Sequence, residues 1–127
     1  MVIDENNEIW IEESRFYLDE NNIIHAIIVG EQDVEKAKSF NKATLHLMEK
    51  VEGKVHVLTD NNRAGKTSPE ARKEFQEFIE HKKYGKLAIF GVNPVARLLA
   101  NFFIGFSKKK DIRYFKSKKE ALSWLLE

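Results

Sequence analysis

A mixed, mainly parallel α/β sheet with helices packed on it, carrying an antiparallel hairpin at its N-terminal end, is the fold this sequence predicts. Three observations predict it. Two short alternating runs stand side by side near the N-terminus, closely followed by a turn pair. Beyond them, apolar runs of strand length alternate with amphipathic stretches of helix length, which favours parallel pairing through right-handed crossovers. Finally, 127 residues suit one domain, 1–127, with a real core and no room for a second.

The alternating runs are Glu8 to Glu12 and Arg15 to Asp19, and Asn21-Asn22 is the turn pair before a third run, Ile23 to Val29. That run is apolar nearly throughout apart from His25, so it should be buried on both faces. Asp33 caps a helix to about Val51, with Ala37, Phe40, Thr44, Met48 and Val51 on one stripe, and Gly53 ends it. Lys54 to Thr59 is the next strand. Ser68, with Pro69 at the first helical position, opens a second helix facing Ala71, Phe75, Phe78 and Ile79 inward. Gly85 starts a strand over Leu87 to Val92, and Asn93-Pro94 opens a third helix to about Phe106. Ile112 to Phe115 is the last strand. Ser117-Lys118-Lys119-Glu120 is a capping box, so a final helix runs to the C-terminus.

Composition narrows the classes. A hydrophobic fraction of 43%, a charged fraction of 32% and a net charge of +1 describe an ordinary globular chain with no global pull toward nucleic acid, and no nucleic-acid partner is expected. With no cysteine, disulfides, thiolate metal sites and cysteine catalysis do not apply. Nothing at Met1-Val2-Ile3-Asp4-Glu5 resembles a signal peptide, so a prokaryotic cytoplasm is the expected compartment. No linker or internal repeat is visible.

The segment from Asp60 to Ser68 holds the candidate anion or phosphoacceptor site: Asp60, Gly65, Lys66, Thr67 and Ser68. A strand that delivers an acid to a polar loop, followed by a helix whose N–H groups face that loop, is how many α/β domains bind phosphoryl groups. The loop is expected to be mobile and accessible. Gly65-Lys66-Thr67 matches the end of a P-loop, but the glycine required five positions earlier is replaced by Asp60, which would repel phosphate. Asp60 has no serine, lysine or carboxylate placed beside it to make a mechanism, so no catalytic residue is assigned and the chain reads as a non-enzyme. The four histidines, His25, His46, His56 and His81, lack metal-binding helical spacing, although adjacent strands would bring His25 and His56 together. No metal or cofactor is expected.

The third helix is apolar on two sides. Val95, Leu98, Leu99, Phe102, Phe103 and Phe106 are expected to face inward, while Ala96, Ala100 and Ile104 make a second apolar side with Arg97 as its only charge. Such a side is either core or a contact surface, and the helix is too short to span a bilayer. Lys108, Lys109 and Lys110 follow it, in a stretch from Ser107 to Glu120 with seven basic residues against two acids. Arg97, Ala100, Ile104 and these lysines are therefore the candidate homodimer or anionic-lipid contact. A solvated loop at the negative end of the helix is the plainer account of the lysines.

The run Arg15 to His25, with Ser68-Pro69-Glu70-Ala71-Arg72, Val95 to Gly105, and Phe115 followed by Glu120-Ala121-Leu122-Ser123-Trp124-Leu125, resembles a known group. It is the small, largely uncharacterised bacterial family related to STAS and SEC14-like domains, which shares the fold of the anti-sigma factor antagonist SpoIIAA. The resemblance covers nearly all of the chain from Arg15 and implies a non-enzymatic regulatory or protein-interaction module with an unidentified protein partner. It also implies a serine at the start of the second helix, phosphorylated by a kinase to switch binding, which falls on Ser68. Here Lys66-Thr67-Ser68-Pro69 stands in place of the antagonists' Asp-Ser-Ser/Thr-Gly pattern, and an N-cap role alone explains Ser68 and Pro69. The alternative implied by the SEC14-like relationship is a peripheral lipid- or membrane-binding protein.

Overall fold

The computed structural model describes residues 2–4, 6–104 and 111–127, without the side chains of 2–4 and 102–104. Seven strands form one sheet: β1 (Val2–Asp4), β2 (Glu8–Ile11), β3 (Ser14–Leu18), β4 (Ile23–Gln32), β5 (Val55–Thr67), β6 (Tyr84–Phe90) and β7 (Ile112–Phe115). The helices are α1 (Val34–Met48), α2 (Pro69–Phe78), α3 (Pro94–Ile104) and α4 (Lys118–Leu125). Strand order in space equals order in sequence. Pairing is antiparallel from β1 to β4 and parallel from β4 to β7. The expected mixed sheet is therefore present, with one strand, β1, that the sequence did not announce.

Local chemistry starts each helix. The side chains of Asp33, Ser68, Asn93 and Ser117 accept the backbone N–H groups of Lys36, Ala71, Ala96 and Glu120 at 2.8, 3.1, 2.9 and 3.2 Å. These bonds satisfy donors that the first helical turn leaves free. The turn before β4 is built in the same way. Asp19 accepts the N–H groups of Asn21 and Ile23, and Asn22 takes a positive φ of 60°.

Two cores sandwich the sheet. On one face Ile9, Phe16, Ile24, Ala26, Val55 and Val57 meet Phe40, Ala43, Leu47 and Met48 of α1, with Phe75, Phe78 and Ile79 of α2 packed alongside. On the other, Ile23, Leu58, Ala88 and Phe90 meet Ala121 and Leu125 of α4. Both faces of β4 are covered over Ile23–Ala26, as its apolar run implied.

Two expectations need correction. The stretch 61–67 is strand, not loop: β5 runs on to Thr67, pairing Arg63 with Val29, Ala64 with Gly30 and Thr67 with Gln32. Its partner β6 stops at Phe90, opposite Asp60, so beyond Asp60 the two strands β4 and β5 project as a ribbon. Backbone pairing holds that ribbon together in water, and two register shifts break its alternation, which is why its sequence looks like a loop. The second correction concerns α3. Val95, Leu98 and Leu99 are 70%, 72% and 53% exposed, and the small residues Ala96 and Ala100 face the sheet side. The Asn101 amide fixes that rotation by donating to Tyr114 O and accepting from Tyr114 N, both at 2.9 Å. These two bonds tie α3 to the edge strand β7 with its alanines turned inward.

Among the described residues no helix is long and apolar enough to cross a membrane.

Candidate functional site

At the end of the ribbon, Ser68 N donates to Gln32 O at 3.0 Å and Thr67 Oγ1 donates to Gln32 Oε1 at 3.2 Å. Ser68 is half-buried, and its hydroxyl oxygen receives the Ala71 N–H. The Arg72 guanidinium reaches back to Thr67 O at 3.3 Å. The junction is therefore a hydrogen-bonded strand-to-helix corner with the Arg72 cation held at its rim.

Asp60 does not join it. Its carboxylate accepts both the backbone and the side-chain N–H of Asn62 at 2.9 Å. The β4 partners of Asp60 and Thr67, Ile27 and Gln32, are five residues apart along the strand, or roughly 16 Å at strand rise. Gly65 also has a packing role rather than a phosphate-wrapping one. A Cβ there would lie 3.1 Å from Glu31 N and Gly30 C, so glycine lets the ribbon's strands come together. Lys66 is exposed beside it. Thr67 and Ser68 thus share a corner, whereas Asp60 lies elsewhere. Arg97 and Ala100 are half-buried, and Ala100 stands on the inner side of α3; Lys108, Lys109 and Lys110 lie outside the described residues, as does the side chain of Ile104.

His25 and His56 lie on adjacent strands, and each has its own partners. His25, buried, stacks on Tyr17 with ring centroids 4.4 Å apart, and its Nε2 lies 2.7 Å from Asp19 Oδ2. His56 sits on the neighbouring strand opposite Ile23, where its Nδ1 accepts the Lys86 N–H at 2.8 Å. Among the described residues no three His, Asp or Glu side chains gather to hold a metal.

Burial, and then the nearby Lys86 charge, holds the His56 pKa below its ordinary 6.5. The unfolded chain therefore binds a proton at His56 before the folded one does. Its contribution to stability is complete above pH 6.5 and is lost as pH falls through the window below that value. His56→Asn, which removes the titrating group, should lose less unfolding temperature than wild type between pH 7.5 and 5.5. Equal losses would show that His56 does not titrate differently on folding.

Sequence reasoning missed a cavity of about 900 Å³ between α2, α3 and the sheet. Its floor includes Val57, Thr59, Leu87, Ile89, Ile112 and Tyr114, with Phe75 and Ile79 on one wall and Ala96 and Ala100 on the other. The four-residue spacing of those alanines was its sequence signal, overshadowed by the larger side chains on the far face of α3.

Residues 16–127 match the model of the Domain of unknown function (DUF7793). The chain belongs to this family. No curated protein matches the DUF7793 sequence. Among solved structures, it is similar to the crystal structure of an uncharacterized protein of the DUF3478 family with a SpoIIAA-like fold from Shewanella loihica PV-4. That match has a TM-score of 0.62 and 16% identity, and covers 93% of this chain and 90% of that one. A second similar structure is the anti-sigma factor antagonist SpoIIAA in its unphosphorylated form, with a TM-score of 0.60 and 9% identity over 89% of this chain and 96% of that one. The DUF7793 chain therefore has the SpoIIAA-like fold that its sequence resembles.

Proposed function

We propose that this chain is a non-enzymatic regulatory module of the STAS type, in which a second copy of the chain covers the outer face of α3 and a phosphoryl group on Ser68 switches the assembly. The observation that carries the reading is the trio Val95, Leu98 and Leu99, each more than half exposed on one helix face. Large aliphatic side chains held together in water are what a partner covers, and a two-fold contact lets one patch meet itself. The SpoIIAA-like fold adds support, since one similar structure is that of the anti-sigma factor antagonist SpoIIAA in its unphosphorylated form. A phosphoryl group on Ser68 would sit at the positive end of α2, beside the guanidinium of Arg72.

Sedimentation velocity over a range of concentrations tests the assembly. Wild type should self-associate and Leu98→Glu should remain monomeric. A wild type that stays monomeric at the highest concentration rejects the contact. Ser68 is tested by two substitutions. Ser68→Ala should cost about 1 kcal/mol through the lost cap, whereas Ser68→Asp keeps a capping oxygen and should fold as well as wild type. The switch requires Ser68→Asp to change the self-association constant. An aspartate silent in both measurements leaves Ser68 as a cap alone.

A further inference from the structure

The cavity between α2, α3 and the sheet has a direction. Five of its polar residues stand at the C-terminal ends of the parallel strands: Thr59, Asn61 and Thr67 of β5, Gln32 at the end of β4, and Arg72 in the first turn of α2, while Asn41 and Thr44 of α1 and Gln76 of α2 are neutral polar groups along its sides. Its opposite end, toward the starts of β6 and β7, is lined by Phe78, Ile79, Tyr84 and Ile112. In open parallel sheets, ligands enter at the C-terminal ends of the strands, which is where those five polar residues stand. The volume, about 900 Å³, falls in the range of small-molecule sites, and the seven residues of β6 give a floor roughly 20 Å long.

The lining carries one formal charge among the described residues, Arg72. Its guanidinium donates one bond to Thr67 O, and a planar fork with five donors has others suited to a carboxylate. Desolvation raises the pKa of the Tyr84 hydroxyl at the far end, and of the Tyr114 hydroxyl level with Thr59 in the sheet, above the ordinary phenol range, so neither adds a charge to the cavity. A polyphosphate ligand would meet too few cations here, and a small polar metabolite would leave the apolar end empty. We infer that the cavity binds a single-chain alkyl carboxylate, its carboxylate at Arg72 and its chain running along β6 toward Tyr84 and Ile112. This assignment is independent of the outer face of α3, and it draws on the same Arg72 that a phosphoryl group on Ser68 would face.

Calorimetric titration with dodecanoate, below the concentration at which it forms micelles, tests it. Dodecyltrimethylammonium serves as a probe with the same chain and opposite head, and acetate as the head alone. Wild type should bind one dodecanoate per chain, at least tenfold more tightly than the ammonium probe, with no detectable acetate binding. Arg72→Gln, at an exposed position, should fold normally and lose that tenfold preference. Ala96→Trp should fill the mouth and abolish binding, while Leu98→Glu on the outer face should bind as wild type does. If Ala96→Trp fails to fold, the head-group preference of Arg72→Gln against wild type decides alone. The inference is overturned if wild type shows no saturable binding, if Arg72→Gln keeps the full preference, or if Leu98→Glu abolishes binding.

Discussion

Replacing Phe16 with alanine should cost about 4 kcal/mol of folding stability. Phe16 is 1% exposed, and its ring lies 5.1 Å from that of Phe40, so it joins β3 to α1 at the centre of the larger core. Truncation removes the transfer free energy of a whole ring and leaves a hole whose walls cannot collapse, because Ile24 and Ala26 are held in the sheet on β4. Domains of this size have only about 5–15 kcal/mol to lose. Urea unfolding should therefore show a much earlier midpoint with an unchanged slope. A loss below about 1 kcal/mol would mean that β3 and α1 do not pack as described.

Gly91→Ala is the second substitution with a large expected effect. Gly91 adopts φ +88°, and an added Cβ would sit 2.5 Å from Asn62 N and 3.0 Å from Asn61 C. Those are backbone atoms, so no side-chain rotation relieves the contact. The left-handed backbone and the overlap together should cost about 3 kcal/mol. Gly53→Ala provides the control: its φ is +78°, but nothing lies within 4 Å of the new methyl group. It should lose only about 1 kcal/mol, from the backbone alone. Similar losses for the two variants would show that the close approach of Gly91 to the 61–62 backbone is not maintained in solution. Because Asn61 lines the cavity and Gly91 lies between β6 and α3, Gly91→Ala should also disturb the cavity mouth.

What the sequence made legible is what short-range chemistry decides. Asp33, Ser68, Asn93 and Ser117 each announced a helix because a cap acts over three residues, and all four make the bond. The turn before β4 was readable for the same reason, through Asn21 and Asn22, and the structure adds Asp19 as the acceptor that closes it. The rest depended on partners far along the chain. Residues 61–67 are strand because β4 supplies a ladder for them, and no periodicity within Asn61-Asn62-Arg63-Ala64-Gly65 records that. The rotation of α3 goes with two bonds between Asn101 and Tyr114, a contact across 13 residues that hydrophobic patterning does not record. Once the helix is turned that way, the aliphatic residues expected in the core become surface and two alanines become cavity wall. Within the candidate site, the corner at Thr67 and Ser68 was legible, and its separation from Asp60 was not.

Because the strands lie in space in the order in which they occur in sequence, each pairs only with the one made just before it and the one made just after. During synthesis every new strand finds its docking edge already complete, on chain that has left the ribosome. No earlier strand has to wait exposed for a late one to be inserted beside it. The longest wait between partners is the crossover through α1 that joins β4 to β5, and until it closes, β4 presents an open edge. A nascent chain stalled within α1 should therefore be exposed to association through the edge of β4, and one stalled within α2 through the edge of β5.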